Sequence, residues 1–326
     1  APAYLGKGRT FLMVSPPKLN KARQNFEKAL ELDPRQYEAY YELAGLALTD
    51  DDADGALAYL AKLPTDAPES VQVDLVKAEV YLLLGEPASA LEAALSANHI
   101  DITNLPAYKL LAKAYLMSDQ PEASFAPLQT YLTWVKDDPE AYGLMATMLL
   151  LRGEYTEALQ FANAALEIDK GSLSALAVRG EIYLHNGQTD EAAVDFNNVL
   201  RVDKSSFTAT LGISRIQHER ELFGSAYEYA RAAYELARSD RETAAALYWR
   251  AMALIGLDEK QAAARDLQTL LNLPEESLPT ELKLDAMKVY QQVITATPTL
   301  TPVPTILTTP KPTKSLPTAP TATPRN

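Results

Sequence analysis

The sequence predicts an all-α solenoid of about eight tandem helical hairpins, closed by a C-terminal helix and followed by an extended tail. Three observations carry this. Small residues recur every 34 positions, apolar residues within each unit are spaced by three and four, and the composition changes abruptly to Thr and Pro at residue 296. At 326 residues the chain is too long for one compact core. A repeat architecture escapes that limit because its core grows in one dimension.

The register is set by small residues. Ala22, Ala56, Ala90, Ser124, Ala158, Ala192 and Ala226 are each 34 residues apart. A second set, Ala44, Ala78, Ala112, Ala146, Gly180 and Ser214, keeps the period 12 positions earlier. A third set runs Ala29, Leu63, Ala97, Tyr131, Ala165, Val199 and Ala233. A fourth runs Leu32, Ile100, Trp134, Ile168, Val202 and Leu236, broken only by Asp66. Two antiparallel helices approach closely only where neither carries bulk, and larger residues one turn away fill the space between hairpins. In residues 139–170, Tyr142, Met145, Ala146 and Leu149 are expected to line one helix before the break at Gly153. Ala158, Ala162, Ala165, Leu166 and Ile168 are expected to line the next.

The units fall near 3–35, 37–69, 71–103, 105–137, 139–171, 173–205, 207–239 and 244–276, with a closing helix at 280–294. Together they make a solenoid over 1–295 and leave a tail over 296–326. A two-residue insertion near Ser15-Pro16-Pro17 disturbs the first unit, and the eighth is displaced by three residues after Arg238. In the closing helix, Leu282, Ala286, Val289 and Val293 face inward.

Phe26-Glu27-Lys28-Ala29-Leu30-Glu31-Leu32-Asp33-Pro34, Gly153-Glu154-Tyr155-Thr156-Glu157-Ala158-Leu159 and Gly187-Gln188-Thr189-Asp190-Glu191-Ala192 resemble the tetratricopeptide repeat family. Tyr81, Tyr115 and Tyr183, at the third turn of the first helix, fit the same pattern. The resemblance covers nearly all of residues 3–275, in particular that to bacterial extracytoplasmic members with a Thr/Pro-rich tail. It implies a right-handed solenoid whose first helices line a concave groove through positions 2, 5, 9 and 12 of each unit.

Position 12 is Leu48, Leu82, Leu116, Leu150 and Leu184, ending at His218. These leucines form either an apolar ladder for an extended, weakly polar ligand or packing between neighbouring hairpins. Lys109 and Lys113, one turn apart, add a small basic spot able to hold a carboxylate, although the Asn residues of the family's carboxylate-clamp members are absent at the matching positions.

The net charge is −13, and the last 31 residues hold only basic charges (Lys311, Lys314 and Arg325). A body that acidic repels phosphate backbones, so no nucleic-acid partner is expected. There is no cysteine, no apolar run long enough to cross a membrane, and no catalytic or cofactor motif. Gly6-Lys7-Gly8-Arg9-Thr10 lacks the spacing of a phosphate loop. The three histidines lie in different units. No enzymatic activity and no cofactor are expected.

Asp50, Asp52 and Asp54 stand at positions 1, 3 and 5 of a calcium-loop pattern, with Gly55 at 6. The twelfth position is Ala61, so the closing carboxylate is missing, and a solvated turn between two helices is the favoured reading.

Beyond residue 295, 10 of 31 residues are Thr and 8 are Pro. Such a segment buries too little apolar surface to fold alone, and Thr/Pro tracts are O-glycosylation candidates, here at Thr297, Thr299, Thr301, Thr305, Thr308 and Thr309. This tract favours an extracellular or cell-surface location, and the opening Ala-Pro-Ala fits either a processed mature form or a trimmed chain. Tyr4, Leu5 and Leu12 leave an apolar end at the first unit, suited to head-to-tail contact. The leading expectation is a protein-binding scaffold that stacks into a filament, its tail docked on a neighbour along Leu82, Leu116 and Leu150. The rival is a monomeric adaptor with a peptide in its groove and the tail as a tether.

Overall fold

The computed structural model describes residues 1–274 and 278–295, and these hold seventeen helices and no strand. The first three hairpins are α1 (Pro2–Met13) with α2 (Leu19–Leu32), α3 (Tyr37–Thr49) with α4 (Ala53–Ala61), and α5 (Val71–Leu84) with α6 (Pro87–Ile100). Then come α7 (Leu105–Met117) with α8 (Pro121–Trp134), α9 (Pro139–Leu151) with α10 (Tyr155–Ile168), and α11 (Leu173–His185) with α12 (Thr189–Val202). The stack ends with α13 (Phe207–Glu219) and α14 (Phe223–Leu236), α15 (Asp240–Gly256) and α16 (Lys260–Leu271), and the closing helix α17 (Thr280–Thr295).

Two recurring turns explain why the chain reverses where it does. Between the helices of a hairpin one residue adopts a left-handed conformation: Asp51, Gly85, Asp119, Gly153, Gly187, Glu221 and Asp258 all have φ between 56° and 77°. Glycine takes that conformation without steric cost, and Asp tolerates it better than most residues do. Between hairpins, Asp33, Asp101, Asp169 and Asp203 each accept a hydrogen bond from the backbone N–H two residues on, at 2.8–2.9 Å. This side-chain turn stops the second helix and launches the next unit.

The small residues pack as their period requires. Ala22, Ala56, Ala90, Ser124, Ala158, Ala192 and Ala226 are all fully buried. Ala263 and Ala251, also fully buried, continue the first and second sets into the eighth hairpin once its three-residue shift is allowed for. The fourth set behaves differently. Leu32, Ile100, Trp134, Ile168 and Val202 are exposed, Trp134 at 73%. Ile168 therefore does not line the core: it ends α10, where the chain is already leaving the helix interface.

The eighth hairpin starts at Asp240, earlier than the displaced register suggests. Ser239 accepts from the Glu242 N–H at 3.1 Å, while Glu242 reaches back to the Arg238 N–H at 2.7 Å. This reciprocal cap nucleates the helix one turn ahead of its apolar pattern. At the far end, Ala286 and Val293 are buried, with Leu282 and Val289 packed beside them against α15 and α16.

From α3 onward, first helices of successive hairpins pack on one another, from α3 on α5 through α15 on α17, whereas second helices pack only on first helices. The layer of first helices is thus the closer-set one, which makes it the inside of the curve. The coil is tight enough for Arg241, at the start of α15, to form an ion pair with Asp119 in the fourth hairpin's turn.

Candidate functional site: the concave groove

Groove-facing side chains come from positions 2, 5 and 9 of each first helix, and the groove divides into three stretches. In the first, α3, α5 and the preceding loops enclose a cavity of about 920 Å³. Its floor is aromatic and aliphatic (Tyr37, Tyr41, Leu46, Leu75 and Val76) and its rim carries Glu38, Glu42, Glu69 and Glu79.

The middle stretch neutralises itself. Lys109 lies 3.0 Å from Asp138 and 2.9 Å from Glu140, and Lys113 lies 2.6 Å from Glu140. Asp138 also accepts from the Tyr131 hydroxyl at 2.7 Å and caps α9 by accepting from the backbone N–H of Glu140 and Ala141. Burial alone would lower the Lys109 pKa, but Glu140 and Asp138 outweigh it and hold the ammonium well above its ordinary value. Burial likewise pushes Asp138 and Glu140 upward, yet Tyr131 and Lys109 at the first, and Lys113 and Lys109 at the second, keep both below the ordinary carboxylate range. Burial and its bond to Asp138 push the Tyr131 phenol up to about 12.

The basic spot expected of Lys109 and Lys113 is therefore not open to a ligand carboxylate. The start of α9 already supplies two, because Asp138 and Glu140 face these lysines across the hairpin stagger. The depressed carboxylates contribute stability above about pH 4, lost as pH falls through their folded values. The raised Lys109 contributes stability below about pH 10.4, lost as pH rises through its folded value. Lys109→Met is expected to cost about 1.5–3 kcal/mol at pH 7 and to flatten both limbs, read from urea midpoints between pH 3 and 11.

In the third stretch, a cavity of about 610 Å³ lies between α9, α11 and α13, with Ser174, Ala177, Glu181, Thr208 and Arg215 among its lining. Arg215 pairs with Glu181 at 2.5 Å and stacks over Trp249 at 5.5 Å. His218 packs edge-on against Phe223 and Trp249, and this burial lowers its pKa.

The position-12 leucines are packing residues. Leu82 and Leu184 are buried, while Leu48, Leu116 and Leu150 are half-buried against the core of adjacent hairpins. Packing dominates this column, although Leu150 also lines the cavity of the third stretch. Tyr41, Glu79, Glu181 and Arg215, which do line the groove, sit at positions 5 and 9. Those positions carry mixed residue types, so they stand out less in the sequence than the unbroken leucine column.

At the N-terminal end, Leu5 is buried against Ala22, Phe26 and Ala29, and Leu12 is half-buried beside them. Leu5 is thus part of the first hairpin's own core, since Gly8 lets the Phe26 ring close on α1. Tyr4 and Met13 remain exposed, at 38% and 87%. Thr297, Thr299, Thr301, Thr305, Thr308 and Thr309 lie outside the described residues.

The aspartate cluster does not converge on a cation. Asp50 pairs with Arg23 at 2.6 Å, and Asp52 caps α4 by accepting from the Gly55 N–H at 2.8 Å. Asp51 holds the left-handed turn position that Gly85, Gly153 and Gly187 hold elsewhere. No group of three or more His, Cys, Asp or Glu side chains arranged for a metal occurs among the described residues. Asp52→Ala is expected to cost about 1 kcal/mol through the lost cap, and calorimetry should give no calcium heat with either protein. Micromolar calcium binding lost on Asp52→Ala would overturn this reading.

No helix among the described residues is long and apolar enough to cross a membrane. Comparison with known proteins gives a consistent picture of the fold. The tetratricopeptide repeat family model matches residues 18–80 and again 177–241. A peptidyl-prolyl cis-trans isomerase of Arabidopsis thaliana, PASTICCINO1, is 39% identical over 62 residues, which are 19% of this chain and 10% of that protein. Among solved structures, the APC/C hetero-tetramer Cut9–Hcn1 superposes with a TM-score of 0.66 at 13% identity, over 89% of this chain and 55% of that one. The human IFIT1 dimer with PPP-AAAA superposes with a TM-score of 0.59 at 17% identity, over 84% of this chain and 68% of that one. The chain thus spans about a tenth of the curated relative and about half of the first structure. The chain thus carries tetratricopeptide repeats at residues 18–80 and 177–241, and its all-α solenoid is the fold that these structures share.

Proposed function

We propose that this chain is a non-catalytic protein-interaction scaffold that holds an extended protein segment in its concave groove. The observation that carries the reading is the groove itself. Two open cavities of about 920 and 610 Å³ lie along the first-helix layer, lined by apolar, aromatic, charged and hydroxyl side chains. Apolar surface with a few placed polar groups is what a peptide site needs. Selection of displayed random peptides on the immobilised full chain tests it. Enriched peptides should share a motif and lose binding to Glu181→Lys or Glu79→Lys. Peptides indifferent to both, yet lost on Val194→Asp or Val202→Asp outside the groove, would sink the reading.

Self-assembly is the second part of the proposal, favoured by the exposed Tyr4 and Met13 at the first hairpin. Copies would stack head to tail at an extracellular or cell-surface location, each docking its 296–326 segment on a neighbour and carrying O-linked glycans on its threonines. The two parts separate by electron microscopy of the full chain, where filaments support stacking and isolated curved particles support a monomeric adaptor.

A further inference from the structure

We propose that the first stretch of the groove is a site for a cationic, aliphatic-rich strand, and that its occupant is the segment 303–316 of this chain, with a lysine placed on Glu79. The proposal rests on the groove reading above and names the chemistry of one part of it.

The receptor side is an unmatched carboxylate over an apolar floor. Glu79 is an exposed residue at position 9 of α5 that lines the cavity together with Tyr37, Tyr41, Leu75 and Val76. It makes no hydrogen bond or ion pair with another described residue. Its neighbours are otherwise engaged: Arg9 holds Glu42 at 2.6 Å, and Gln36 donates to Glu38 at 2.8 Å. Lys113 and Lys109, the nearest cations in its field, are held by Glu140 and Asp138. Burial consequently raises the Glu79 pKa despite those two lysines. A carboxylate without a counter-ion beside an apolar floor attracts an incoming ammonium, and the pair strengthens as the docked strand excludes water. Glu69 on the same rim is also without an ion pair and offers a second contact.

The ligand side is complementary. Segment 303–316 contains no acid, two lysines (Lys311 and Lys314) and four aliphatic residues (Val303, Ile306, Leu307 and Leu316), with prolines at 304, 310 and 312. A proline-rich strand is preorganised as a three-residue-per-turn helix and loses little entropy on docking. That period puts Lys311 and Lys314 on one face, about 9 Å apart, and Leu307, Pro310 and Leu316 on another. One face thus meets the rim carboxylates and another the apolar floor. Reach is sufficient: Lys311 lies 16 residues past Thr295, or roughly 50 Å of extended chain, and the coil already brings the start of α15 to the fourth hairpin.

Carbodiimide cross-linking of the full chain, which joins lysines to adjacent carboxylates, tests the placement. Mass spectrometry of an equal mixture of unlabelled and ¹⁵N-labelled protein should find Lys311 or Lys314 joined chiefly to Glu79 or Glu69, whichever copy supplies the tail. Tail lysines joined indiscriminately to outer carboxylates such as Glu157 and Asp190 would overturn it. A second arm uses a fluorescent peptide of sequence 303–316 on full-length Lys311→Glu/Lys314→Glu protein, whose own tail no longer competes. The peptide should bind in a salt-sensitive manner and weaken at least tenfold on the isosteric Glu79→Gln, with unchanged circular dichroism. Equal binding to Glu79→Gln, lost instead on Glu181→Lys, would refute this site while leaving the groove reading standing. Binding indifferent to both would sink the two together.

Discussion

Phe196→Ala is expected to destabilise the solenoid by about 3–5 kcal/mol. Phe196 is fully buried on α12, and its ring lies between two glycines on flanking first helices. A Cβ on Gly180 of α11 would come within 2.7 Å of the ring, and one on Gly212 of α13 within 2.4 Å. The ring therefore joins the sixth hairpin to the seventh, and neither glycine can extend a side chain to fill the void left by alanine. Because repeat stability is a sum of unit and nearest-neighbour terms, losing this interface should also split unfolding at the junction. Urea denaturation followed by circular dichroism should show a lower midpoint and a broadened or two-step transition. A loss below about 1 kcal/mol would mean the junction is held by something other than this ring. Gly212→Val should produce a loss of the same sign by overpacking, typically about 1–3 kcal/mol.

Arg179→Met should cost about 3–5 kcal/mol at neutral pH, because it strands a buried charge. Arg179 grips Asp195 with two bonds of 2.8 and 2.9 Å, and Asp195 is only 2% exposed. Removing the guanidinium leaves a buried carboxylate without a cation. The double variant Arg179→Met/Asp195→Leu should recover most of the stability, since an apolar pair avoids the desolvation penalty of both ions. Thermal unfolding of the single and double variants at pH 7 checks the pair. A single variant as stable as the parent, or a double variant no better than the single, would contradict the buried-charge account. The same device recurs in the eighth hairpin, where Arg250 grips Asp266 with two bonds of 2.7 Å. The spacing from Arg179 to Asp195 is repeated there, displaced by two units plus the three-residue shift. That repetition was visible in the sequence, although nothing in the pattern alone says that either pair is buried.

The charged part of the groove was the least legible feature. Lys109 and Lys113 read as an open basic spot because their partners lie in the next hairpin, 27–31 residues on, and depend on how one hairpin is staggered against another. Asp50, Asp52 and Asp54 match the front half of a calcium loop because an ion pair and a helix cap draw on the same residue type as a metal site. In each case composition named the chemistry and geometry named the recipient.

The sequence by itself determined the architecture: the 34-residue period, the small residues at every helix crossing, the glycines at the left-handed turns and the shift in the eighth unit. These are properties of one hairpin meeting its neighbours, so a local pattern repeated along the chain is enough to specify them. Only the tertiary structure decided which side chains face the groove, which charges neutralise one another and which apolar residues stay bare. Leu184 turned inward, Trp134 outward, Glu79 was left unmatched, and Asp119 met Arg241 from 122 residues away. Those outcomes follow from the stagger and curvature of the stack, which accumulate from small rotations between hairpins and are written in no single unit.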